Sequence, residues 1–302
     1  MNIKSILRNI RFLALLIGNM MMAGCSNSDK PAYLEPHLIT TEATHITRTE
    51  ATLNGSATIE GETEMPKLLF RYGTSESMDL NTSEVHAQGA DVSLVLTGLK
   101  AGTTYYYMLQ GNNGRITTTS NMMSFTTLPN MSPKLTSATL LSHGPMSAFV
   151  SYEITDDGGE PMTETGCYVY QTGEPENKQK YIIENFDGKE GKIKLRIGNL
   201  ERNAHYEFQP FARNTVGETI GTAIKYDTSD AITLNETGEL TQLMGNHLYD
   251  YTQLTIAGTL NGEDLSCLRL MMGRDNNNAS TPGKLSDIVL TDVHLAAGGM
   301  VG

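Results

Sequence analysis

The chain has 302 residues, a formal net charge of −12 and no tryptophan. Such acidity argues against nucleic-acid binding, which needs clustered Lys and Arg to neutralise phosphates. Cys25, Cys167 and Cys267 are too few and too far apart for a disulfide framework or a thiolate metal site.

At the N-terminus Lys4, Arg8 and Arg11 precede an apolar run from Phe12 to Ala23, broken only by Gly18 and Asn19. This is the pattern of a secretory signal peptide. The run is about a dozen residues, against roughly 20 needed to span a bilayer, so no mature transmembrane helix is expected from it. Met22-Ala23-Gly24-Cys25 resembles the bacterial lipobox, with Met22 where leucine is usual. The resemblance implies that residues 1–24 are removed and that Cys25 carries the lipid as a thioether. The expected location is the cell envelope, as an outer-membrane lipoprotein on the periplasmic face or the cell surface. Several acyl chains on one cysteine give stable anchoring where a single chain holds only marginally. Residues 25–36 are polar, with Pro31 and Pro36 opposing helix, and form a lipidated tether.

From 37 to 228 short runs rich in Thr, Val, Tyr, Ile and Leu alternate with Gly, Asn, Asp and Pro clusters, the signature of antiparallel strands. Three anchors repeat in order. Leu53 corresponds to Val150 at an offset of 97, Leu69 to Thr74 matches Cys167 to Thr172 at 98, and Leu99 to Tyr105 matches Leu200 to Tyr206 at 101. Strands are kept while loops drift.

The third anchor, Leu99-Lys100-Ala101-Gly102-Thr103-Thr104-Tyr105 followed by Tyr107 and Leu109, resembles the fibronectin type III pattern, and Leu200 to Tyr206 with Phe208 repeats it. The resemblance implies two tandem immunoglobulin-like β-sandwiches, residues 37–128 and 129–228. Each would have a corner pinned by a tyrosine whose ring packs inward and whose hydroxyl reaches a backbone group a few residues upstream. Leu99, Tyr105, Leu200 and Tyr206 are the residues of that corner. Tyr105, Tyr107 and Leu109 should share one face, with Tyr106 on the other. With no tryptophan on the opposing strand, Tyr72, Tyr170 or their apolar neighbours must fill the space between the sheets.

After Thr228 the pattern changes, so the mainly β fold ends in a short α/β segment, residues 229–302. Ile232–Leu234 and Gln253–Leu260 read as strands, and Glu239–Met244 reads as a helix. A second helix starts at Asn261-Gly262-Glu263-Asp264 and ends at Gly273, with Leu265, Leu268 and Met272 along its apolar face. A last strand runs from Leu285 to Val293. Leu285-Ser286-Asp287-Ile288-Val289-Leu290 resembles a leucine-rich-repeat unit, and Tyr251 to Ile256 is an imperfect copy 34 residues earlier. About three repeats are needed for a stable stack. The chain is therefore expected to stop before its repeat array does, or else to carry a small α/β appendage on the second sandwich.

No chemistry-bearing constellation stands out. The seven histidines are scattered, no phosphate loop or nucleophile elbow occurs, and Asp156-Asp157-Gly158-Gly159-Glu160 lacks the ligand alternation of a calcium loop and reads as a turn. No catalytic residue, metal or cofactor is assigned, and the chain is expected not to be an enzyme. Tyr106, Tyr249 and Tyr251 are the candidate ligand contacts, as exposed rings able to stack on a sugar or anchor a protein partner. The expected function is adhesion or protein and glycan interaction by a monomer whose sandwiches act as spacers. The alternatives are an accessory glycan-capture lipoprotein and a non-catalytic fragment of a larger surface enzyme.

Overall fold

The structure, a computed structural model, describes residues 35–61 and 64–299. The leader, Cys25 and most of the tether lie outside the described residues. The fold is mainly β and divides into two compact units. Of the described residues, the first takes those up to Ile46 with Glu50–Thr97 and Thr104–Thr126; the second takes Thr47–Thr49, Gly98–Thr103 and those from Thr127 onward.

In the first unit β1 (His37–Thr44), β2 (Glu50–Thr58) and β5 (Asp91–Thr97) form one antiparallel sheet in the order β1-β2-β5. The second sheet has the order β4-β3-β6-β7, from β3 (Lys67–Gly73), β4 (Leu80–Asn81), β6 (Thr104–Asn112) and β7 (Thr117–Thr119), with β8 (Met123–Thr126) also on β6. Strict alternation buries Ala51, Leu53 and Ala57 on β2 and Tyr105, Tyr107 and Leu109 on β6. Phe70 and Tyr107 fill the centre with ring centroids 6.4 Å apart, and Tyr105 stacks on Phe125 at 5.7 Å. The Tyr107 hydroxyl donates to the Thr41 carbonyl at 2.6 Å, and burial pushes its pKa up to about 12. Gly55 is required where β1 crosses close, because a Cβ there would sit 2.6 Å from the Ile39 carbonyl oxygen.

The second unit repeats this plan. β10 (Thr139–Gly144), β11 (Ser147–Asp156) and β14 (Gly191–Ile197) make one sheet, with β9 (Lys134–Leu135) on the far end of β11. β12 (Met162–Gln171), β13 (Gln179–Ile182), β15 (His205–Asn214), β16 (Glu218–Ile220) and β17 (Ile224–Asp227) make the other. Both units thus have the two-sheet arrangement of a fibronectin type III-like sandwich. Val150, Cys167, Val169, Leu195, Ile197, Phe208 and Tyr226 form the core between the sheets of the second.

The sheet of β10 does not stop at the sandwich. β18 (Ala231–Leu234) joins β10 antiparallel, and β19 (Gln253–Leu260) and β20 (Asp287–Leu295) follow in parallel, giving the order β14-β11-β10-β18-β19-β20. Parallel neighbours need a crossover. Here α1 (Leu240–Met244) lies between β18 and β19 in sequence and α2 (Gly262–Met271) between β19 and β20. The helices share a core with the sheet, built from Ile232, Leu234, Leu240, Leu254, Ile256, Cys267 and Met271. The described part of the last segment, residues 229–299, therefore extends the second sandwich through a common sheet. From Gln253↔Asp287 to Ala257↔Thr291, paired residues on β19 and β20 are 34 apart.

Two expectations are corrected. On β3, Phe70 faces Leu109 of β6, whereas on β12 it is Cys167 that faces Pro210 of β15. Since Leu109 and Pro210 are 101 apart, like Tyr105 and Tyr206, Phe70 corresponds to Cys167 at an offset of 97, not 98. One residue of slip exchanges the two faces of a strand. Tyr170 therefore leaves the space between the sheets to Cys167 and Val169, and lies with Tyr168 on the other side of β12. There Tyr168 packs on Phe211 at 4.7 Å, and the Tyr170 hydroxyl donates to Glu207 at 3.1 Å. On α2 the buried face is Asp264, Cys267, Leu268 and Met271, while Leu265 is 40% and Met272 55% exposed. Asp264 decides this rotation: its carboxylate accepts the N–H groups of Gly238 (2.7 Å), Leu240 (3.0 Å) and Asn261 (3.0 Å), which requires it inside.

Candidate functional site

The strand period that sends Leu254, Ile256 and Ile288 toward the helices leaves Gln253, Thr255, Asp287 and Val289 on the opposite face of the sheet. There they line an open groove of about 450 Å³ with Arg202, Asp230, Asp250 and Tyr251. Arg202 comes from the turn between β14 and β15. Its guanidinium lies 4.6 Å from the Tyr251 ring centroid and 3.6 Å from the Asp230 carboxylate. Tyr251 is buried beneath it, and burial raises the phenol's pKa while Arg202 acts in the opposite sense. Gln253 donates to Asp287 at 3.0 Å, and Asp250 engages the His247 Nδ1 at 2.7 Å.

This lining offers carboxylates, a guanidinium and an amide, and it contains no histidine or cysteine. It can hold a polar ligand by hydrogen bonds. Beyond the groove runs the outer edge of β20, where Val289, Leu290 and Leu295 are 55%, 56% and 73% exposed. A more apolar hollow of about 390 Å³ beside it is lined by Leu265, Leu268, Met272 and Ile288, with Arg269 and Arg274.

The three tyrosines expected as ligand contacts are divided between the two units. Tyr106 is half-buried on β6 of the first unit, Tyr249 is half-buried in the second, and Tyr251 is covered by Arg202 and so is not the exposed ring expected. Leu99 and Tyr105 are buried, as are Leu200 and Tyr206. The Leu99 N–H donates to the Thr49 carbonyl and that of Leu200 to the Met146 carbonyl, both at 3.0 Å. The Tyr206 hydroxyl accepts the Glu201 N–H at 2.9 Å. Cys25 lies outside the described residues. Arg202, Asp230 and Asp287 were not singled out by sequence; each sits in a turn or at a strand end, where charge is unremarkable until the fold assembles it.

The carboxylates of Asp156, Asp157 and Glu190 lie within 4.8 Å of one another. Asp156 already pairs with Arg48 at 2.9 Å and Lys134 at 3.7 Å, and the hydrogen bond from Arg48 holds its carboxyl below the usual range. Glu190 accepts the Asp157 N–H at 2.6 Å. The loop 157–161 is a strand connection tied by its own polar groups. Among the described residues no helix is long and apolar enough to cross a membrane.

No family model matches the sequence, and no curated protein matches it. Among solved structures, the two-domain fibronectin type III segment of chicken tenascin aligns with 65% of this chain and 100% of its own length, at 17% identity and a TM-score of 0.31. The FN1–FN3 domains of chicken CNTN1 align with 64% of this chain and 68% of theirs, at 13% identity and a TM-score of 0.27. The sensor domain of the anti-sigma factor RsgI4 of Pseudobacteroides cellulosolvens aligns with 31% of this chain and 95% of its own, at 22% identity and a TM-score of 0.27.

Proposed function

We propose that the chain is a non-catalytic interaction protein of the bacterial cell envelope, a monomer anchored by lipid on Cys25. In this reading the two sandwiches are spacers and the surface around β18–β20 is the recognition element. The observation that carries it is the outer edge of β20. A strand edge presents unpaired N–H and C=O groups; among the described residues no strand pairs with β20 on its outer side, and this edge adds exposed Val289, Leu290 and Leu295 beside a polar groove. A partner that adds a strand gains main-chain hydrogen bonds from the edge and specificity from alternate side chains. The 34-residue pairing of β19 with β20 supports the leucine-rich-repeat resemblance of this segment.

The test is binding of the purified ectodomain to a panel of envelope and host glycoproteins and to a glycan array. A protein partner is expected, with at least tenfold weaker binding after Val289→Lys and Leu290→Lys, since apolar anchors at an interface centre carry such losses. Silence of the wild-type ectodomain toward the whole panel, or binding indifferent to both substitutions, sinks the proposal. Capture of glycans alone would instead favour a glycan-binding accessory lipoprotein. For the anchor, Cys25→Ala should move the protein from the membrane to the soluble fraction.

A further inference from the structure

We infer that a second pocket, built around Arg196 between the β14–β15 turn and the end of α1, is a subsite for a single oxyanion, the carboxylate or sulfate ester of a larger ligand. It is separate from the β20 edge and stands whether or not that edge binds a partner. The pocket holds about 170 Å³ and is lined by Met146, Arg196, Asn199, Gly245, Asn246 and His247, among others. Whole small molecules occupy sites of roughly 300–1,000 Å³, so a space of this size takes one group of a ligand.

Arg196 is held ready. Its Nε donates to the Gln242 carbonyl at 2.6 Å, one of the last-turn carbonyls that a helix leaves free. A Cβ on Gly198 would sit 2.5 Å from Nη1, and one on Gly245 would sit 2.7 Å from Nη2. Two bare backbones thus let the guanidinium lie where any side chain would displace it, and Gly245 has the φ of +52° that favours glycine.

The charge around Arg196 is unbalanced. Arg48, Arg202 and Arg213 each pair with a carboxylate, at 2.9, 3.6 and 2.6 Å, whereas Arg71 and Arg274, like Arg196, donate to backbone carbonyls. Among the described residues no carboxylate pairs with Arg196; the one ionisable group acting on it is the Tyr181 phenol, which donates to the Gly198 carbonyl at 2.6 Å. The Arg196 side chain is exposed along the pocket mouth, and the partial burial of its guanidinium lowers its pKa, so an anion reaches the cation directly from solvent. Asn199 and Asn246 line the same pocket and carry amides able to donate to an anion. A planar guanidinium fork matches two oxygens of a carboxylate or sulfate better than it matches a spherical ion.

The full-length protein in detergent micelles should be titrated with sodium sulfate, with sodium glucuronate and with sodium chloride at equal ionic strength. The readout is the arginine Nε–H resonances, with that of Arg196 identified by its loss in Arg196→Gln. Saturable movement of the Arg196 signal with sulfate, glucuronate or both, at millimolar half-saturation and without a matching effect of chloride, is expected; which anion saturates identifies the source. Asn246→Asp, which leaves the bond to Gln242 in place, should weaken the response at least tenfold, whereas Val289→Lys should leave it unchanged. Movement that tracks ionic strength alone, or that is the same in Asn246→Asp, overturns the inference.

Discussion

The hydroxyl of Tyr206 accepts the backbone N–H of Glu201 across five residues, closing the turn that carries Arg202. The same turn is held from two other sides. The Thr228 hydroxyl donates to the Glu201 carbonyl at 2.8 Å, and the Leu200 N–H donates to the Met146 carbonyl. A core position on β15 thereby sets where a guanidinium stands over Tyr251 on the groove.

Tyr206→Phe removes this bond and keeps the ring. A buried neutral hydrogen bond contributes about 1 kcal/mol, and for a unit of this size that lowers Tm by about 2–4 °C. Thermal denaturation followed by far-UV circular dichroism is the measurement. An unchanged Tm would show that water replaces the hydroxyl at no cost.

How far the fold could be read from sequence depended on whether one interaction or two competed for each position. The period of two on β6 and β15 had no rival, so Tyr105, Tyr107 and Leu109 could be placed on one face. The match between β3 and β12 rested on look-alike residues, Tyr72 with Tyr170, and similarity of residue type cannot register a strand to one position. On α2 two stripes share Leu268, and the choice between them turned on a carboxylate that pattern reading sends to solvent. The groove was out of reach for a different reason. Arg202 and Tyr251 are far apart in sequence and meet only because the sheet runs on from β10 through β18 to β20.

Asp264 joins the N-terminus of α2 to the entry of α1. With Asn261 it forms a reciprocal cap, and its two oxygens accept three backbone N–H groups while it stays 1% exposed. Removing one partner leaves buried donors unsatisfied, at about 1–3 kcal/mol for each such group. Asp264→Ala should therefore destabilise the segment around β18–β20 by about 3 kcal/mol or more. Asp264→Asn should cost less, because its carbonyl oxygen still accepts. Hydrogen exchange should report the loss first at the Gly238 and Leu240 amides; equal effects of the two substitutions would show that packing, not acceptance, is what the position supplies.

His143 gives the second unit a pH dependence of known sign. Its ring lies edge-on to Tyr226 at 5.3 Å, its Nδ1 is buried without a hydrogen-bond partner, and burial holds its pKa below 6.5. The unfolded chain then binds more protons than the folded one as pH falls below 6.5, so stability is steady above that value and declines beneath it. The carboxyl of Asp156 is also depressed, but from 3.8, so its contribution is lost only at more acid pH. Urea denaturation between pH 7 and pH 5 should show a falling midpoint, and His143→Phe should flatten it. A slope that survives the substitution would place the responsible proton elsewhere.

The thiols test the cores and the anchor together. Cys167 and Cys267 are both free and buried, and desolvation pushes them up to about 12 and about 11. At pH 8 that leaves roughly one thiolate in ten thousand and one in a thousand, and the thiolate is the form that alkylates. Iodoacetamide should therefore leave both unmodified in the native protein and modify both after denaturation in urea, as read by intact mass. Native labelling at either position would mean that its core opens readily. The denatured full-length protein isolated from membranes should take up two labels, because a thioether-linked Cys25 has no thiol to offer. A third label would show that Cys25 carries no lipid and would remove the anchor from the proposed function, while leaving the two cores as described.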